Sequence, residues 1–154
     1  MVFAQTLMSM PVTKTVAVGE GLPEVLRVMH ELEMFWRELG LDDETGSAVS
    51  LALDEVLSNV LRHGQPAGCP PAVEVTFRAG EGAFEFEVSD ACAAYNPLLR
   101  ADPNLDVPLM ERKAGGLGVF LVKQLADEVE YARRDDRNHF WFRKRLAGPS
   151  VGIK

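Results

Sequence analysis

Short stretches in which apolar and polar residues alternate predict a set of β-strands. Five such strands are expected, at residues 12–18, 73–77, 83–90, 128–133 and 139–145. Gly80-Glu-Gly82 lies between the second and third of them, so these two strands are predicted to form a β-hairpin. The sequence Asp-Asp-Arg-Asn at residues 135–138 predicts a turn between the last two strands.

Apolar residues at helical spacing predict three helices. The first is long and amphipathic and ends at Gly40. Its stripe of Met and aromatic residues favours a position in the core, and a groove for a partner is the alternative. Asp42 or Asp43 can cap the second helix, which is expected to stop near Gly64. A Gly-rich segment at residues 115–118 opens the third helix.

The order of these elements predicts the fold class. It runs strand, helix, helix, two strands, helix, two strands, with a long irregular loop at residues 91–114 that contains a short helix near Leu98. We expect an α+β fold, a two-layer α/β sandwich with a mostly antiparallel mixed sheet and helices on one face. A chain of 154 residues is short for two domains, so residues 1–154 are predicted to be a single domain with a core at about 12–146.

The composition is that of an ordinary globular protein, with 47% hydrophobic and 25% charged residues. No apolar run approaches a membrane span, and the N-terminus lacks the basic segment of a secretory signal, so a cytoplasmic protein without membrane contact is expected. A net charge of −7 argues against broad contact with nucleic acid and is compatible with a basic protein partner. Cys69 and Cys92 have neither metal-ligand spacing nor the density of a disulfide scaffold, so both are expected to be reduced.

A Glu and an Asn one helical turn apart form the first candidate for chemistry. Glu55 and Asn59 share one face of the second helix, at the edge of its apolar stripe. A carboxylate there can activate a hydroxyl group or water, and an amide oxygen can bind Mg²⁺. His63 extends this row by a further turn, where it could hydrogen-bond a carboxylate or a phosphate-bound water, or interact with the helix dipole. Two ordinary polar residues at a helix boundary would give the same Glu and Asn pattern.

Two further segments carry candidate ligand contacts. Gly115-Gly-Leu-Gly118 opens a helix, so its backbone N–H groups could bind a phosphate, although a flexible start to the helix would have the same sequence. Asp90 ends the third predicted strand. A carboxylate at that place can accept a hydrogen bond from an exocyclic amine and so distinguish adenine from guanine; the alternative is an Asp that initiates a turn.

These segments occur in the order E-x-x-x-N, D-x-x-x-x-Y-N-P and G-G-L-G. In the order of these three motifs the chain resembles the GHKL (Bergerat-fold) ATPase superfamily, whose ATP-binding fold is shared by gyrase, MutL and histidine kinases. It is most similar to the branch of anti-sigma factors and serine-protein kinases found in bacterial partner-switching systems. Three segments carry that likeness, at residues 55–64, 95–97 and 115–131. The resemblance spans roughly residues 12–146, which is nearly the whole predicted domain.

The resemblance implies a role for each matching residue. Asn59 would coordinate Mg²⁺ that bridges the ATP phosphates, and Glu55 would be the general base toward the hydroxyl group of a protein serine. Asp90 would bind the adenine amino group. Backbone amides would face the phosphates at three positions, Gly116, Leu117 and Gly118.

The resemblance also implies an ATP lid at residues 101–114, in which Arg112 and Lys113 could neutralise phosphate charge or remain solvated. The family has Gly two residues after the Asp, and often another two residues further on, where this chain has Cys92 and Ala94. Because that backbone would lie against the adenine, Cys92 is expected beside the base, where its side chain would narrow the pocket.

Three functions are compatible with this resemblance. The first is an ATP- and Mg²⁺-dependent, anti-sigma factor-like regulator with serine-protein kinase activity toward a STAS-like antagonist protein. The second is a catalytically silent protein-interaction module of the same fold, and the third is a stand-alone GHKL ATPase or histidine-kinase-type domain. Tyr95-Asn-Pro97 and Asp127-Glu-Val-x-Tyr131 favour the first two. The expected partners are a sigma factor and the antagonist, without direct contact with nucleic acid, and the first helix and N-terminal strand suggest a homodimer.

Overall fold

A computed structural model describes residues 10–63, 72–108, 110 and 117–147 of the chain. Its strands are β1 (Val12–Val18), β2 (Val73–Gly80), β3 (Ala83–Asp90), β4 (Glu128–Arg134) and β5 (Arg137–Arg145). Its helices are α1 (Pro23–Glu38), α2 (Asp43–His63), the 3₁₀ helix Pro97–Leu99 and α3 (Leu117–Leu125). Each of these elements lies where the sequence pattern predicts a strand or a helix.

The five strands form one sheet in the spatial order β1-β2-β3-β5-β4, and each neighbouring pair is antiparallel. Successive side chains point to opposite faces of the sheet. One face carries buried apolar residues such as Val75, Phe77, Phe86 and Phe142, and it packs against the helices. The other face carries partly exposed polar residues such as Glu87. The predicted α+β sandwich with helices on one face of an antiparallel sheet is confirmed.

Helix α1 buries its aromatic stripe against the sheet. Phe35 and Trp36 are buried, and the ring centroid of Phe35 lies 5.8 Å from that of Phe77. The predicted core position of the aromatic residues is therefore confirmed. Met29 lies at the rim of the core, beside a shallow groove between α1 and α2.

Helix α2 begins directly after a capping carboxylate. The backbone N–H of Thr45 donates to Asp42 Oδ1 at 2.7 Å, so Asp42 is the N-cap. That hydrogen bond holds the pKa of the Asp42 carboxyl below its usual value. The indole N–H of Trp36 donates to the Asp42 carbonyl at 2.9 Å, which ties the start of α2 to α1. The first turn of α2 is thereby held against α1.

The turn between β4 and β5 is shorter than the sequence predicts, and that prediction is wrong. Both strands extend further than expected and leave Asp135 and Asp136 as a two-residue turn. These two residues have positive φ angles of 51° and 58°, as a type I′ turn requires. A turn of this type follows the twist of the flanking strands, so Asn138 belongs to β5 and not to the turn. Its register partner on β3 is Asp90.

Several predictions concern residues that lie outside the described ranges. They are the end of the second helix at Gly64, the state of Cys69, and the glycines at 115 and 116. The irregular loop after β3 is confirmed for residues 91–108, with its short helix at the expected place. Within the described ranges, no helix has the length and apolar character needed to cross a bilayer.

Candidate functional site

A cavity of about 800 Å³ opens between α2, the start of α3 and the loop that follows β3. Four of the residues predicted to bind a ligand line it, Glu55, Asn59, Asp90 and Gly118. They come from three elements that are far apart along the chain. The fold therefore brings together the three segments that the sequence singles out.

Helix α2 contributes the polar wall of this cavity. Glu55 and Asn59 are half-buried and lie one turn apart. Leu57, between them in sequence, is fully buried in the core. Val56 and Val60 line the cavity next to the polar pair. The helix therefore presents an apolar face to the sheet and a mixed face to the cavity.

The carboxylate of Glu55 lies against the first turn of α3. A Cβ atom built on Gly118 would overlap Glu55 Oε2, so glycine at this position permits the close approach. The first turn of a helix leaves backbone N–H groups unpaired, and these groups attract negative charge. A carboxylate and a helix end of the kind that can bind an anion thus share one part of the cavity. Leu117, which begins α3, has an exposed side chain and does not line the cavity.

Asp90 stands at the end of β3 and is only 5% exposed. Its Oδ1 accepts two hydrogen bonds, from the backbone N–H of Cys92 at 3.0 Å and from Nδ2 of Asn138 at 2.9 Å. No hydrogen bond reaches Oδ2 from any residue that the structure describes. Buried polar atoms normally have a partner, so an unfilled carboxylate oxygen beside a cavity is suited to accept a hydrogen bond from a ligand.

Asn138 is a residue of this site that the sequence analysis missed, because the predicted turn included it. It is buried in β5 and lines the cavity. Its Nδ2 also donates to the carbonyl of Ala93 at 2.9 Å. Its Oδ1 accepts the backbone N–H of Tyr95 at 3.2 Å and the hydroxyl of Tyr131 at 2.5 Å. This one side chain therefore connects β3, β4, β5 and the loop after β3.

The loop after β3 forms a second wall of the cavity through Ala93, Ala94 and Tyr95. Cys92 is buried, and it is not among the residues that line the cavity. Its carbonyl accepts a hydrogen bond from Nη1 of Arg133 at 2.7 Å, which holds the loop against β4. Where Cys92 was expected, this wall has Ala93, Ala94 and Tyr95, and Pro97 and Arg100 of the same loop also line the cavity.

Two arginines that the sequence analysis did not single out also line the cavity, Arg62 of α2 and Arg100 after the 3₁₀ helix. Arg62 follows Asn59 by three residues, so helical spacing could have identified it. Guanidinium groups suit phosphate oxygens in charge and in geometry. The remaining predicted contacts lie outside the described part of the chain, namely Arg112, Lys113, Gly116 and the side chain of His63.

The donor set of the cavity fits Mg²⁺ only when phosphate oxygens complete the coordination. Among the described residues there is no group of three or more His, Cys, Asp or Glu side chains that could hold a metal ion. Mg²⁺ commonly binds through one or two protein oxygens together with substrate phosphates. The amide oxygen of Asn59, next to the carboxylate of Glu55, suits that kind of coordination.

The chain is similar to several known proteins. It is 30% identical over 111 residues to the serine/threonine-protein kinase BtrW of Bordetella bronchiseptica, and this match covers 69% of the chain and 78% of BtrW. Its fold resembles the RsbU and RsbW domains of Rv1364c from Mycobacterium tuberculosis with a TM-score of 0.65 and 16% identity, over 93% of this chain and 35% of that longer one. A chain of the SiaB-SiaC complex from Pseudomonas aeruginosa matches with a TM-score of 0.53 and 12% identity, over 95% of this chain and 94% of that one.

Residues 20–144 match the family of histidine kinase-like ATPase domains. This span contains all four motif residues that meet in the cavity, and the structural matches share the same antiparallel fold. The resemblance drawn from the three motifs is therefore confirmed by the extent of the match, by BtrW and by the fold. The chain belongs to the histidine kinase-like ATPase family, within the GHKL superfamily.

Proposed function

We propose that the protein is an ATP-binding, anti-sigma factor-like regulator that phosphorylates a serine of an antagonist protein. One observation carries the proposal, which is that Glu55, Asn59, Asp90 and Gly118 come from three separate motifs and line a single cavity. A relative at 30% identity is named a serine/threonine-protein kinase, and this supports the reaction class. ATP is the proposed phosphate donor, and Mg²⁺ is the proposed metal.

The base of the nucleotide would lie at the Asp90 end of the cavity. The exocyclic amine of adenine can donate to Asp90 Oδ2, whereas guanine presents a carbonyl oxygen at that position. Val88, Val122 and Phe140 supply an apolar wall against which a flat base can pack. This combination favours ATP over GTP.

The phosphates would lie between α2 and the start of α3. The backbone N–H groups of the first turn of α3 can bind phosphate oxygens, and Arg62 and Arg100 can balance their charge. Mg²⁺, when bound, neutralises charge on the phosphates and orients them for transfer. Asn59 is the residue that would hold it, through its amide oxygen.

Glu55 is the proposed general base. A serine hydroxyl presented at this end of the cavity would lose its proton to the Glu55 carboxylate while its oxygen bonds to the γ-phosphorus. The bond between that phosphorus and the β–γ bridging oxygen breaks, and ADP is the leaving group. The products are a phosphoserine on the partner protein and ADP.

The proposed partners are proteins, a sigma factor that is sequestered and a STAS-like antagonist that accepts the phosphate. A matched structure is the SiaB-SiaC complex, and another contains an RsbU domain beside the RsbW domain, which supports a role in protein association. A net charge of −7 also favours a protein partner over nucleic acid. We place the protein in the cytoplasm, where these partners act, and propose that it forms a homodimer.

A catalytically silent interaction module is the second candidate, and one observation favours it. Ala94 lines the cavity at a position where the family often has glycine. Its Cβ atom, which a glycine would lack, takes up space beside the proposed position of the base. A module of this kind would bind its protein partner equally well with and without Mg-ATP.

Titration calorimetry with ATP and with GTP in the presence of Mg²⁺ tests the proposal. We expect selective binding of ATP, and weaker binding in Asn59→Ala because the metal loses its protein ligand. If neither ATP nor GTP binds, the proposal is overturned and the interaction module remains as the candidate function. Recovery of ATP binding in Ala94→Gly would then place the obstruction in the loop after β3.

A further inference from the structure

Asn138 uses the full hydrogen-bonding capacity of its side chain. A primary amide can donate two hydrogen bonds and accept two. Nδ2 donates to Asp90 Oδ1 and to the carbonyl of Ala93, both at 2.9 Å. Oδ1 accepts the backbone N–H of Tyr95 at 3.2 Å and the hydroxyl of Tyr131 at 2.5 Å. Asn138 is only 6% exposed, so water does not readily replace any of these hydrogen-bond partners.

These partners define which way the amide faces. The backbone N–H of Tyr95 can only donate, and the carbonyl of Ala93 can only accept. A reversed amide would place Nδ2 against an N–H group and Oδ1 against a carbonyl and a carboxylate. Since buried groups left without partners are costly, the observed orientation is strongly preferred.

The amide in turn fixes the carboxylate of Asp90. Rotation of that carboxylate would break both hydrogen bonds to Oδ1, the one from Asn138 and the one from the backbone N–H of Cys92. Asn138 is also the register partner of Asp90 on the neighbouring strand, so the two side chains are held by the sheet itself. The direction in which Oδ2 faces the cavity is therefore set from β5.

We infer that Asn138 is the positioning residue for adenine selection and that it acts through Asp90. This inference rests on the proposed function, in which Asp90 Oδ2 accepts the adenine amine. A carboxylate oxygen that is held in one direction favours a ligand with a hydrogen-bond donor at that place over a ligand without one. A carboxylate that could rotate would find another donor and would lose this discrimination. Tyr131 has a secondary part, since its hydroxyl helps to hold the amide.

Comparison of ATP with purine riboside triphosphate measures this effect directly. The analogue has a hydrogen atom where ATP has the exocyclic amine, so the ratio of the two Kd values reports the contact with Asp90. For the wild-type full chain with Mg²⁺ we expect ATP to bind roughly tenfold more tightly or better, as for a hydrogen bond to a charged group. In Asn138→Asp, which keeps the size of the side chain, the ratio should fall to near one.

Two further variants control this experiment. Asn96→Asp makes the same chemical change where the side-chain oxygen accepts the backbone N–H of Leu98 at 2.9 Å, a bond that a carboxylate also accepts. In this variant the ratio of the Kd values for the two nucleotides should stay at its wild-type value. Tyr131→Phe removes one donor to Asn138 Oδ1 without changing the ring, and its ratio should lie between those of the wild type and Asn138→Asp.

The outcomes separate this inference from the proposed function. If Asn138→Asp weakens the binding of ATP and of purine riboside triphosphate by the same factor, the ratio of their Kd values is unchanged, and Asn138 has no part in adenine selection. Circular dichroism shows whether that variant folds, and if it does not, a wild-type ratio in Tyr131→Phe overturns the inference. A wild-type protein that binds neither nucleotide would overturn the proposed function itself.

Discussion

Among single residues, Glu55 has surroundings that suit proton transfer. Its carboxylate is half-buried in the cavity wall and lies against the first turn of α3, where Gly118 leaves room for it. Asn59 places an amide oxygen on the same face of α2, one turn further on. A base and a metal ligand at this spacing can act on the same transferred phosphate, one on the attacking hydroxyl and the other through Mg²⁺.

Replacement of Glu55 by Gln should reduce phosphate transfer to a small residual rate and leave nucleotide affinity nearly unchanged. Gln keeps the shape of the side chain but cannot take up the serine proton, so kcat should fall by roughly 10²- to 10⁴-fold. The assay is transfer of labelled γ-phosphate from ATP to the antagonist protein. Calorimetry on the same samples gives the Kd for ATP.

Asp54→Asn is the matched control for this prediction. Asp54 precedes Glu55 on α2 but is exposed, and its Oδ1 accepts the hydroxyl of Ser58 at 2.9 Å. It does not line the cavity, so the control should transfer phosphate at the wild-type rate. Wild-type activity in Glu55→Gln would remove this carboxylate from the mechanism.

Among the elements, α2 carries most of the proposed chemistry, and its first turn depends on one carboxylate. Asp42 Oδ1 satisfies the N–H group of Thr45, which has no acceptor within the helix. The Asp42 carbonyl also accepts the indole N–H of Trp36, so the same residue fixes both the start of α2 and its contact with α1. The cap therefore contributes to stability at some distance from the cavity.

Asp42→Ala should lower the free energy of unfolding by about 1 kcal/mol at neutral pH. The Thr45 N–H lowers the pKa of Asp42 in the folded state, so the stabilisation is fully present above the unfolded pKa and is lost as the pH falls through the folded pKa. The difference between wild type and variant should thus be constant near neutrality and shrink below about pH 4. Urea unfolding across this pH range measures it.

Asp43→Ala is the appropriate comparison for the cap. Asp43 also lies in the first turn of α2, but its side chain accepts no hydrogen bond from the described residues. Its removal should cost only a few tenths of a kcal/mol, through the interaction of its charge with the helix dipole. Equal losses in the two variants, or a loss in Asp42→Ala that persists in acid, would contradict the assigned cap.

Strands and helices could be predicted from the sequence where a local pattern of residues specifies them. β1 has the bounds that its alternation predicts, and the helical spacing of α1 places its aromatic residues in the core. The motif residues that meet in the cavity were also identified from sequence, because each belongs to a short pattern with its own chemistry. They are Glu55, Asn59, Asp90 and Gly118.

Asn138 was missed because its partners are distant in sequence. It lies 48 positions from Asp90, and no local pattern records that contact. The sequence Asp-Asp-Arg-Asn also has the composition of a longer turn, and two Asp residues are not the usual signature of a type I′ turn. The useful signal was the alternation of Asn138 with Phe140 and Phe142, which places all three on the inner face of β5.

In the molecule as a whole, the two edges of the sheet differ in charge. The β4 edge carries several charged residues, which disfavour pairing with another strand, namely Glu128, Glu130, Arg133 and Arg134. Within β1 the single charged residue is Lys14, and it forms an ion pair with Glu31 of α1 at 2.5 Å. Next to this edge, two leucines are exposed, Leu22 just before α1 and Leu26 within it. No other strand of the described residues pairs with the outer edge of β1. The β1 side therefore offers a strand edge and apolar side chains to a second copy of the chain, as the proposed homodimer requires.

Leu26→Glu should convert the proposed homodimer into a monomer. Leu26 is 75% exposed in α1, and a charged side chain there would have to be buried in the contact between two copies. We expect dimer affinity to fall at least roughly tenfold, measured by light scattering over a range of protein concentrations. Leu99→Glu, at a leucine that is 84% exposed in the loop after β3, should leave the dimer intact.

The same variant separates dimer formation from nucleotide binding. Glu55, Asn59 and Asp90 of one chain line the cavity together, and Leu26 is not among the described residues that line it. Monomeric Leu26→Glu should therefore bind ATP with the wild-type Kd in calorimetry. A monomeric wild type at working concentration would overturn the homodimer, whereas a loss of ATP affinity in Leu26→Glu would mean that contact between two copies stabilises the walls of the cavity.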